Sequence, residues 1–349
     1  ENVAVGYAAL DAEDTGTGSV AIGRGALSAQ NADTNNYNTA VGYVAGGAVT
    51  SGVQNTLVGA FAGDALTDAD FNVGLGYAAL SSDTLGSRSV ALGYAALATQ
   101  NFTSATNVYN TAVGHAAGNL ITTGTFNTLV GGLSGDALTT GNSNVAVGSL
   151  ALGADTQGDR AVAIGVNALL SQNFTSSTDN YNVGIGYDAG KSITTGVRNT
   201  IIGGLAGDAI TSGDNNIVIG FATMTANTLA DRNVAIGNEA LEAFNITSST
   251  DSYNVAVGFQ AGHTITTGVN NTLIGGLAGD SLTDADDNVA VGYATLDADT
   301  LGSKSTAIGR SALGSQNFTS ATDSNNTAVG YQAGLNVTTG RFNSILGAN

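Results

Sequence analysis

Short stretches in which apolar and small residues alternate recur along the chain, and each of them ends on a glycine. Residues 3–6 (VAVG) and 90–93 (VALG) are two examples. This two-residue alternation is the period of a β-strand, whose successive side chains point to opposite faces. A second short stretch follows, such as residues 7–10 (YAAL), and then a polar turn, such as residues 122–124 (TTG). The pattern predicts a strand, a sharp corner, a second strand and a turn.

The glycine that ends each stretch returns at one phase throughout the chain, and we name it the corner glycine. Successive corner glycines lie seventeen positions apart, except that one step in four is longer: nineteen positions the first time and twenty-one thereafter. Three short steps and one long step make a super-repeat of seventy-two positions, one coil of which carries a four-residue bulge in its turn. The bulged loops begin at Asn101, Asn173, Asn245 and Asn317. The corner glycines are Gly6, Gly23, Gly42, Gly59, Gly76, Gly93, Gly114, Gly131, Gly148, Gly165, Gly186, Gly203, Gly220, Gly237, Gly258, Gly275, Gly292, Gly309, Gly330 and Gly347.

These periods predict an all-β fold, a parallel β-solenoid of about twenty coils of 17–21 residues. The shorter of these units cannot hold a strand, a helix and two connections. The glycine suits a corner with positive φ or a close backbone approach. The Asn or Ser that opens each strand is expected to stack coil over coil or to bond the turn backbone. At about 4.8 Å per coil, twenty coils would extend roughly 95 Å.

We expect residues 1–349 to form one continuous repeat region that is a segment of a longer chain, because the sequence starts in the middle of a repeat. Strand edges at the two ends of such a solenoid would favour end-to-end stacking into a filament.

Large and small residues trade places within the super-repeat. The middle strand position is large at Leu57, Leu129, Ile201 and Leu273, and the residue after the corner glycine is then Ala or Gly. Elsewhere the middle position is mostly Ala or Gly, and the residue after the corner glycine is often aromatic. Facing layers keep a core close-packed in this way. The exchange predicts a partner surface against the strands, and hence a bundle of chains.

Composition excludes several classes of protein. With 42% hydrophobic residues, the chain can bury a core and is not of the disordered type. Its net charge of −18 argues against binding to nucleic acid or to anionic membranes. The longest apolar run, residues 90–98, is too short to span a bilayer. The absence of cysteine leaves the compartment open.

The repeats at residues 2–6 (NVAVG), 89–93 (SVALG) and 305–309 (STAIG) resemble the head repeats of YadA-type trimeric autotransporter adhesins, and similar repeats occur in viral tail fibres. The resemblance covers essentially the whole chain. It implies a left-handed β-roll, three chains wound side by side, and attachment at a cell surface or a virion surface. The coils here are longer than the usual adhesin coil.

Nothing in the sequence supports catalysis, and we expect no enzyme, no catalytic or cofactor-binding residue, no cofactor and no metal. The two histidines, His115 and His263, occupy different positions in their coils, and a general base needs an orienting partner. Glycine pairs such as Gly74 and Gly76 lack the full dinucleotide-binding motif.

Acidic turns are the stronger candidates for a binding site. Asp64, Asp136, Asp208 and Asp280 recur once in every super-repeat, and Asp68 and Asp70 match Asp284 and Asp286. Calcium favours such oxygen ligands. The alternative, which we favour because the rows lie four coils apart, is a solvated turn or a cap on the backbone.

One basic position recurs per super-repeat, at Arg88, Arg160, Arg232 and Lys304. We expect an ion pair within the turn or between chains rather than a glycan contact. The acids near it in sequence are Asp83, Asp155, Asp159, Asp231 and Asp299.

The bulged loops join Phe or Ile to Asn, Thr and Ser, and Tyr37, Tyr109, Tyr181 and Tyr253 close most of them. These aromatic residues are expected to clamp the loop, with sugar binding as the alternative.

Three functions stay open. The first is a structural fibre or adhesin at a cell surface, self-associated as a homotrimer, whose receptor or glycan the sequence does not identify. The second is the shaft of a viral tail fibre, and the third is an ice- or glycan-binding solenoid. The Thr-Thr-Gly turns recur only once in four coils, which interrupts the regular threonine array that ice binding needs.

Overall fold

The chain forms a parallel β-solenoid of twenty coils. The computed structural model describes residues 1–348, which contain strands, turns and bends but no helix, and so no helix long and apolar enough to cross a membrane. The coils fall into two compact units, Glu1–Asn180 and Tyr181–Asn349, with ten coils in each.

In the first unit, each coil contributes one three-residue strand to a parallel main sheet, and two further pairs of two-residue strands lie outside it. The main strands are Val3–Val5, Val20–Ile22, Thr39–Val41, Thr56–Val58, Val73–Leu75, Val90–Leu92, Thr111–Val113, Thr128–Val130, Val145–Val147 and Val162–Ile164. The short strands are Gly86–Ser87, which pairs with Thr106–Asn107, and Gly158–Asp159, which pairs with Thr178–Asp179.

The second unit repeats this arrangement. Its main strands are Val183–Ile185, Thr200–Ile202, Ile217–Ile219, Val234–Ile236, Val255–Val257, Thr272–Ile274, Val289–Val291, Thr306–Ile308, Thr327–Val329 and Ser344–Leu346. Its short strands are Ala230–Asp231, which pairs with Thr250–Asp251, and Gly302–Ser303, which pairs with Thr322–Asp323.

Register in the main sheet is set by the repeat. Thr128 pairs with Val145, the residue that occupies the same position in the next coil. The register survives the longer steps, since Val90 pairs with Thr111 across a bulged loop. The predicted four-residue bulge is therefore confirmed, and it lies outside the main sheet.

The corner glycines adopt φ angles between +125° and +148°, a region that only glycine enters without strain. The predicted second strand after this corner is wrong. Residues 7–10 form a turn, in which Ala8 and Leu10 have left-handed φ angles of 52° and 53°. An extended strand cannot contain left-handed residues at alternate positions, so the chain bends around the core here instead.

The core of each coil lies between the middle strand residue and the turn. The large middle residue Leu57 is fully buried inside its own chain. Its methyl groups fill the space beside Gly46 and Gly63, where a Cβ would lie 2.8 Å and 2.7 Å from them. In the two coils that follow, where the middle residue is Gly74 or Ala91, this position holds the buried Leu80 or Leu97. The large middle residue is therefore accommodated inside its own chain, and the expectation that a partner surface accommodates it is wrong. The other half of the exchange, the residue after the corner glycine, lies on the surface, as at Tyr77.

The residues that open the strands form a buried ladder of side chains. The Oδ1 of Asn38 accepts a hydrogen bond from the backbone N–H of Asn55 in the next coil, at 2.8 Å. The Nδ2 of Asn55 donates to the carbonyl of Ala69, at 2.8 Å, and thereby satisfies the turn. Both predicted roles of this position are confirmed: it stacks coil over coil, and it bonds the turn backbone.

A second set of buried polar groups lies where the turn begins. The Asp83 carboxylate is fully buried and accepts hydrogen bonds from Gln100 Nε2 at 2.5 Å and from the backbone N–H of Gly86 and Phe102, both at 3.0 Å. The same acid–amide pair recurs at Asp155–Gln172 and Asp299–Gln316. Burial raises the pKa of Asp83 and Asp155, and these hydrogen bonds oppose the rise.

Candidate interaction surface

The outer face of the main sheet is apolar in every coil. The middle strand residue points into the core, so the first and third residues point outward. Of these two outer positions, the third is Val, Ile or Leu in all twenty coils, and the first is Val, Ile, Thr or Ser. The side chains are substantially exposed, as at Leu75 (48%) and Ile274 (40%). Contiguous apolar patches of this kind mark interaction sites in soluble proteins.

Aromatic residues line one edge of this face, at the position after the corner glycine. In the first unit, Tyr77 stacks on Tyr94 with the ring centroids 5.4 Å apart and the planes at 9°. Tyr94 stacks in turn on His115, at 5.2 Å and 8°. Their exposed rings extend the apolar surface beyond the strands.

The opposite edge, five residues before the corner glycine, combines aromatic and basic side chains. The guanidinium of Arg88 lies 4.8 Å from the ring centre of Phe71 and 5.9 Å from that of Tyr109. Tyr109 stacks on Phe126 with the centroids 5.6 Å apart. Such cation–π contacts favour the side chains lying flat along the edge.

Charge is segregated around this face. In the part of the chain that the structure describes, none of the 27 acidic residues lies in a main strand or directly after a corner glycine. Seven of the nine basic residues lie on the two edges: Arg24 and Arg310 on the first, and Arg88, Arg160, Arg198, Arg232 and Lys304 on the second. The acids on these edges are Glu1 and Asp287. A chain of net charge −18 thus keeps one face almost free of negative charge.

Within residues 1–348, the recurrent acidic turns do not form a cluster of three or more potential metal ligands. The aspartates that recur once per super-repeat each have one carboxylate oxygen that is buried without a hydrogen-bond partner: Asp64, Asp136, Asp208 and Asp280. Burial raises the pKa of all four carboxyl groups. Asp70 and Asp286 are backbone caps, because they accept hydrogen bonds from the N–H groups of Val53 and Val269, both at 2.8 Å. The capping role predicted for the acidic turns is confirmed at these two residues.

The recurrent basic residues pair within the chain, as expected, but not with the acids nearest in sequence. Arg160 forms an ion pair with Asp179, and Arg232 with Asp251. The corresponding Lys304 lies 2.6 Å from Asp323. In the first super-repeat, Arg88 donates to Asn107 at 2.8 Å.

The expected acids have other roles. Asp83 and its equivalents bind the buried glutamines, whereas Asp231 accepts from the backbone N–H of Asp214, at 2.6 Å. The acids that do pair with the basic residues lie in the short strands of the bulged loops. Each of these short strands pairs with the short strand just before a basic residue, as Thr250–Asp251 pairs with Ala230–Asp231, and the pairing brings acid and base together.

The bulged loops are clamped by their first apolar residue. Phe102, Phe174, Ile246 and Phe318 are each at most 9% exposed. The clamping role expected for the loop aromatics is confirmed at these phenylalanines. The closing tyrosines differ, since Tyr109 and Tyr253 are 48% and 52% exposed and belong to the basic–aromatic edge.

The two histidines lie in different surroundings. His115 stacks on Tyr94 at the edge of the apolar face. His263 lies in the turn, where its Nε2 is 2.7 Å from Oε2 of Glu242. Sequence reasoning missed this contact because the two residues are 21 positions apart across a bulged loop.

In each unit, the described residues therefore offer an apolar face that carries almost no acidic side chain. Comparison of the chain with models of protein families, with curated proteins and with solved structures gave no match.

Proposed function

We propose that this chain is the shaft of an extracellular fibre in which copies of the chain pack their apolar sheet faces together. The observation that carries the proposal is the outer strand position that is Val, Ile or Leu in every coil and is bordered by aromatic residues. A monomer would leave this surface in water, at a cost of roughly 25 cal/mol for each Å² of apolar area.

The near absence of acidic residues from the apolar face favours association between copies of this chain. Two faces that lack acids can meet without desolvating or opposing carboxylates. The acids that remain on the turns keep the assembly soluble and make it repel other anionic surfaces. The apolar face does not set the number of chains. Three copies, the left-handed roll and a role in attachment follow from the likeness of the repeats to adhesin heads.

The proposal places the fibre at a cell surface, where it serves attachment or filament formation. A viral tail-fibre shaft would use the same face in the same way. The two differ in their flanking sequences: a membrane-anchor barrel indicates the adhesin, and a virion-attachment domain indicates the tail fibre.

The mass of the protein in solution tests the proposal. Light scattering should give three times the chain mass of 34.4 kDa. The double variant Val130→Arg, Val147→Arg places charges on the face, and it should yield single chains with unchanged circular dichroism. Arginines at the exposed turn position Thr123 and at Thr140 are the matched control and should leave the mass unchanged.

Wild-type protein that has the mass of one chain would overturn the proposal. An assembly that survives both face arginines would show that another surface holds the copies together.

A further inference from the structure

Two successive coils of the second unit depart from the repeat by carrying polar side chains at two stacked turn positions. The second residue after the corner glycine is Glu239 in one coil and Gln260 in the next. The fifth is Glu242 in the first coil and His263 in the second. Among the described residues, no other coil has acids at both positions, and no other has a histidine at either one.

The geometry brings potential ligand atoms together. One atom from each of Glu239, Glu242 and His263 lies within 4.8 Å of the other two. Ligands around a tetrahedral ion with bonds of about 2.0–2.1 Å lie about 3.4 Å apart, so small side-chain rotations bring the three into range. His263 and Glu242 are 34% and 38% exposed, which leaves the cluster open to an ion from solution.

The backbone holds this cluster in place. Glu239 donates its N–H to Phe221, and the carbonyl of Glu242 accepts from Ala226, at 3.0 Å and 3.1 Å. The carbonyl of His263 accepts from Ala243 at 3.1 Å. Gln260 also binds the Glu239 carboxylate, with Nε2 2.7 Å from Oε2. Ligands fixed in this way lose little conformational entropy when an ion binds.

Asp280 adds negative charge beside the cluster. It occupies the fifth turn position of the following coil, and one of its oxygens is buried without a hydrogen-bond partner. Burial and the nearby Asp297 carboxylate raise the pKa of Asp280, and the carbonyl of Asp280 accepts a hydrogen bond from the N–H of Thr264, the residue after His263, at 3.1 Å. A cation near His263 would also offset this carboxylate.

We infer that Glu239, Glu242 and His263 form a binding site for a divalent transition-metal ion, with Zn²⁺ as its best match. One imidazole nitrogen and two carboxylates are typical zinc ligands, whereas calcium takes oxygen ligands alone. The bound ion would tie two successive coils together. The site does not depend on the number of chains in the assembly.

Titration with Zn²⁺ tests the site in metal-free protein, by isothermal calorimetry. We expect one ion per chain, and His263→Ala and Glu242→Gln should each weaken the affinity at least tenfold. Co²⁺ should develop visible absorption bands in the wild type that are absent from His263→Ala.

Two matched controls separate a built site from general attraction of cations. Asp208→Asn removes a carboxylate from the same turn position, and His115→Ala removes the other histidine; neither should change the affinity. Absence of saturable binding would overturn the inference. So would affinity that persists in both site variants, or an equal loss in Asp208→Asn, which would indicate diffuse electrostatic attraction.

Discussion

The α-carbon of Gly131 faces the carbonyl oxygen of Gly148 so closely that a Cβ on Gly131 would lie 2.5 Å from that oxygen. The contact joins the corners of two successive coils, and each backbone is fixed by the sheet. The neighbouring residue, Gly132, has no atom within 4 Å of the equivalent Cβ position. Two adjacent glycines are thus under very different constraints.

Gly131→Ala should lower the free energy of unfolding by at least about 2 kcal/mol, because it adds a backbone clash to a φ of +139°. Gly132→Ala should change it by less than about 0.5 kcal/mol, as most surface substitutions do. Denaturant unfolding followed by circular dichroism measures both. Equal effects of the two substitutions would contradict the assignment of Gly131 to a close backbone approach.

The sequence predicts the corners and strands because they depend on short-range features. A strand of three residues and a glycine at one phase repeat in every coil, so periodicity identifies them. The turn was harder to predict. Left-handed residues there include Ala8, Leu10 and even the β-branched Val44, none of which signals a positive φ. Stacking on the next coil, rather than local preference, holds them in that conformation.

Contacts between the bulged loop and the preceding coil could not be predicted from the sequence either. Lys304 and Asp323 meet because a short strand of the loop pairs with the strand of the preceding coil. Neither residue reveals that pairing by its own type or its spacing. The interaction surface was only partly predictable for a similar reason: alternation identifies two strand faces but does not say which one is inside.

Leu129 and Gly118 should show strong energetic coupling. A Cβ on Gly118 would lie 2.7 Å from Cδ1 of Leu129, so Gly118→Ala overpacks the core and should cost about 1–3 kcal/mol. Leu129→Ala leaves a cavity and should cost about 2–5 kcal/mol. In the double variant, the added methyl enters that cavity, and the total cost should be smaller than the sum. A double-mutant cycle measures the difference, and simple additivity would contradict the internal exchange.

Removal of one rung from the asparagine ladder should be costly. Asn127 accepts from the N–H of Asn144 at 3.0 Å and donates to the carbonyl of Gly141 at 2.9 Å. Asn127→Ala leaves both groups buried and unpaired, and we expect a loss of about 2–4 kcal/mol in unfolding free energy. Thr123→Ala, at an exposed turn position of the same coil, is the control. Hydrogen exchange should also quicken at the amide of Asn144, and unchanged protection there would refute the role of the ladder.

The buried Asp83–Gln100 pair has a natural neutral counterpart in the third super-repeat, where Asn227 and Phe244 occupy the same positions and are fully buried. Asp83→Asn alone can place an amide N–H donor opposite the Nε2 donor of Gln100, so that the two groups cannot bond each other. Gln100→Phe alone takes one hydrogen-bond donor away from the buried Asp83 carboxylate. Each single variant should therefore destabilise the fold. The double variant Asp83→Asn, Gln100→Phe should recover much of the loss, because the chain already carries this pair of side chains at the same two positions in its third super-repeat.

The difference in unfolding free energy between the wild type and the double variant Asp83→Asn, Gln100→Phe should depend on pH in a predictable direction. Burial raises the pKa of Asp83 in the folded state, so the folded protein binds the proton more tightly than the unfolded chain does. The stability of the wild type should therefore fall as the pH rises from the ordinary carboxyl pKa of about 3.9 through the raised value. The double variant lacks this group. The difference in unfolding free energy between the two proteins should shift in favour of the variant from pH 4 to pH 7, and a shift in favour of the wild type would mean that the hydrogen bonds to the carboxylate outweigh its burial.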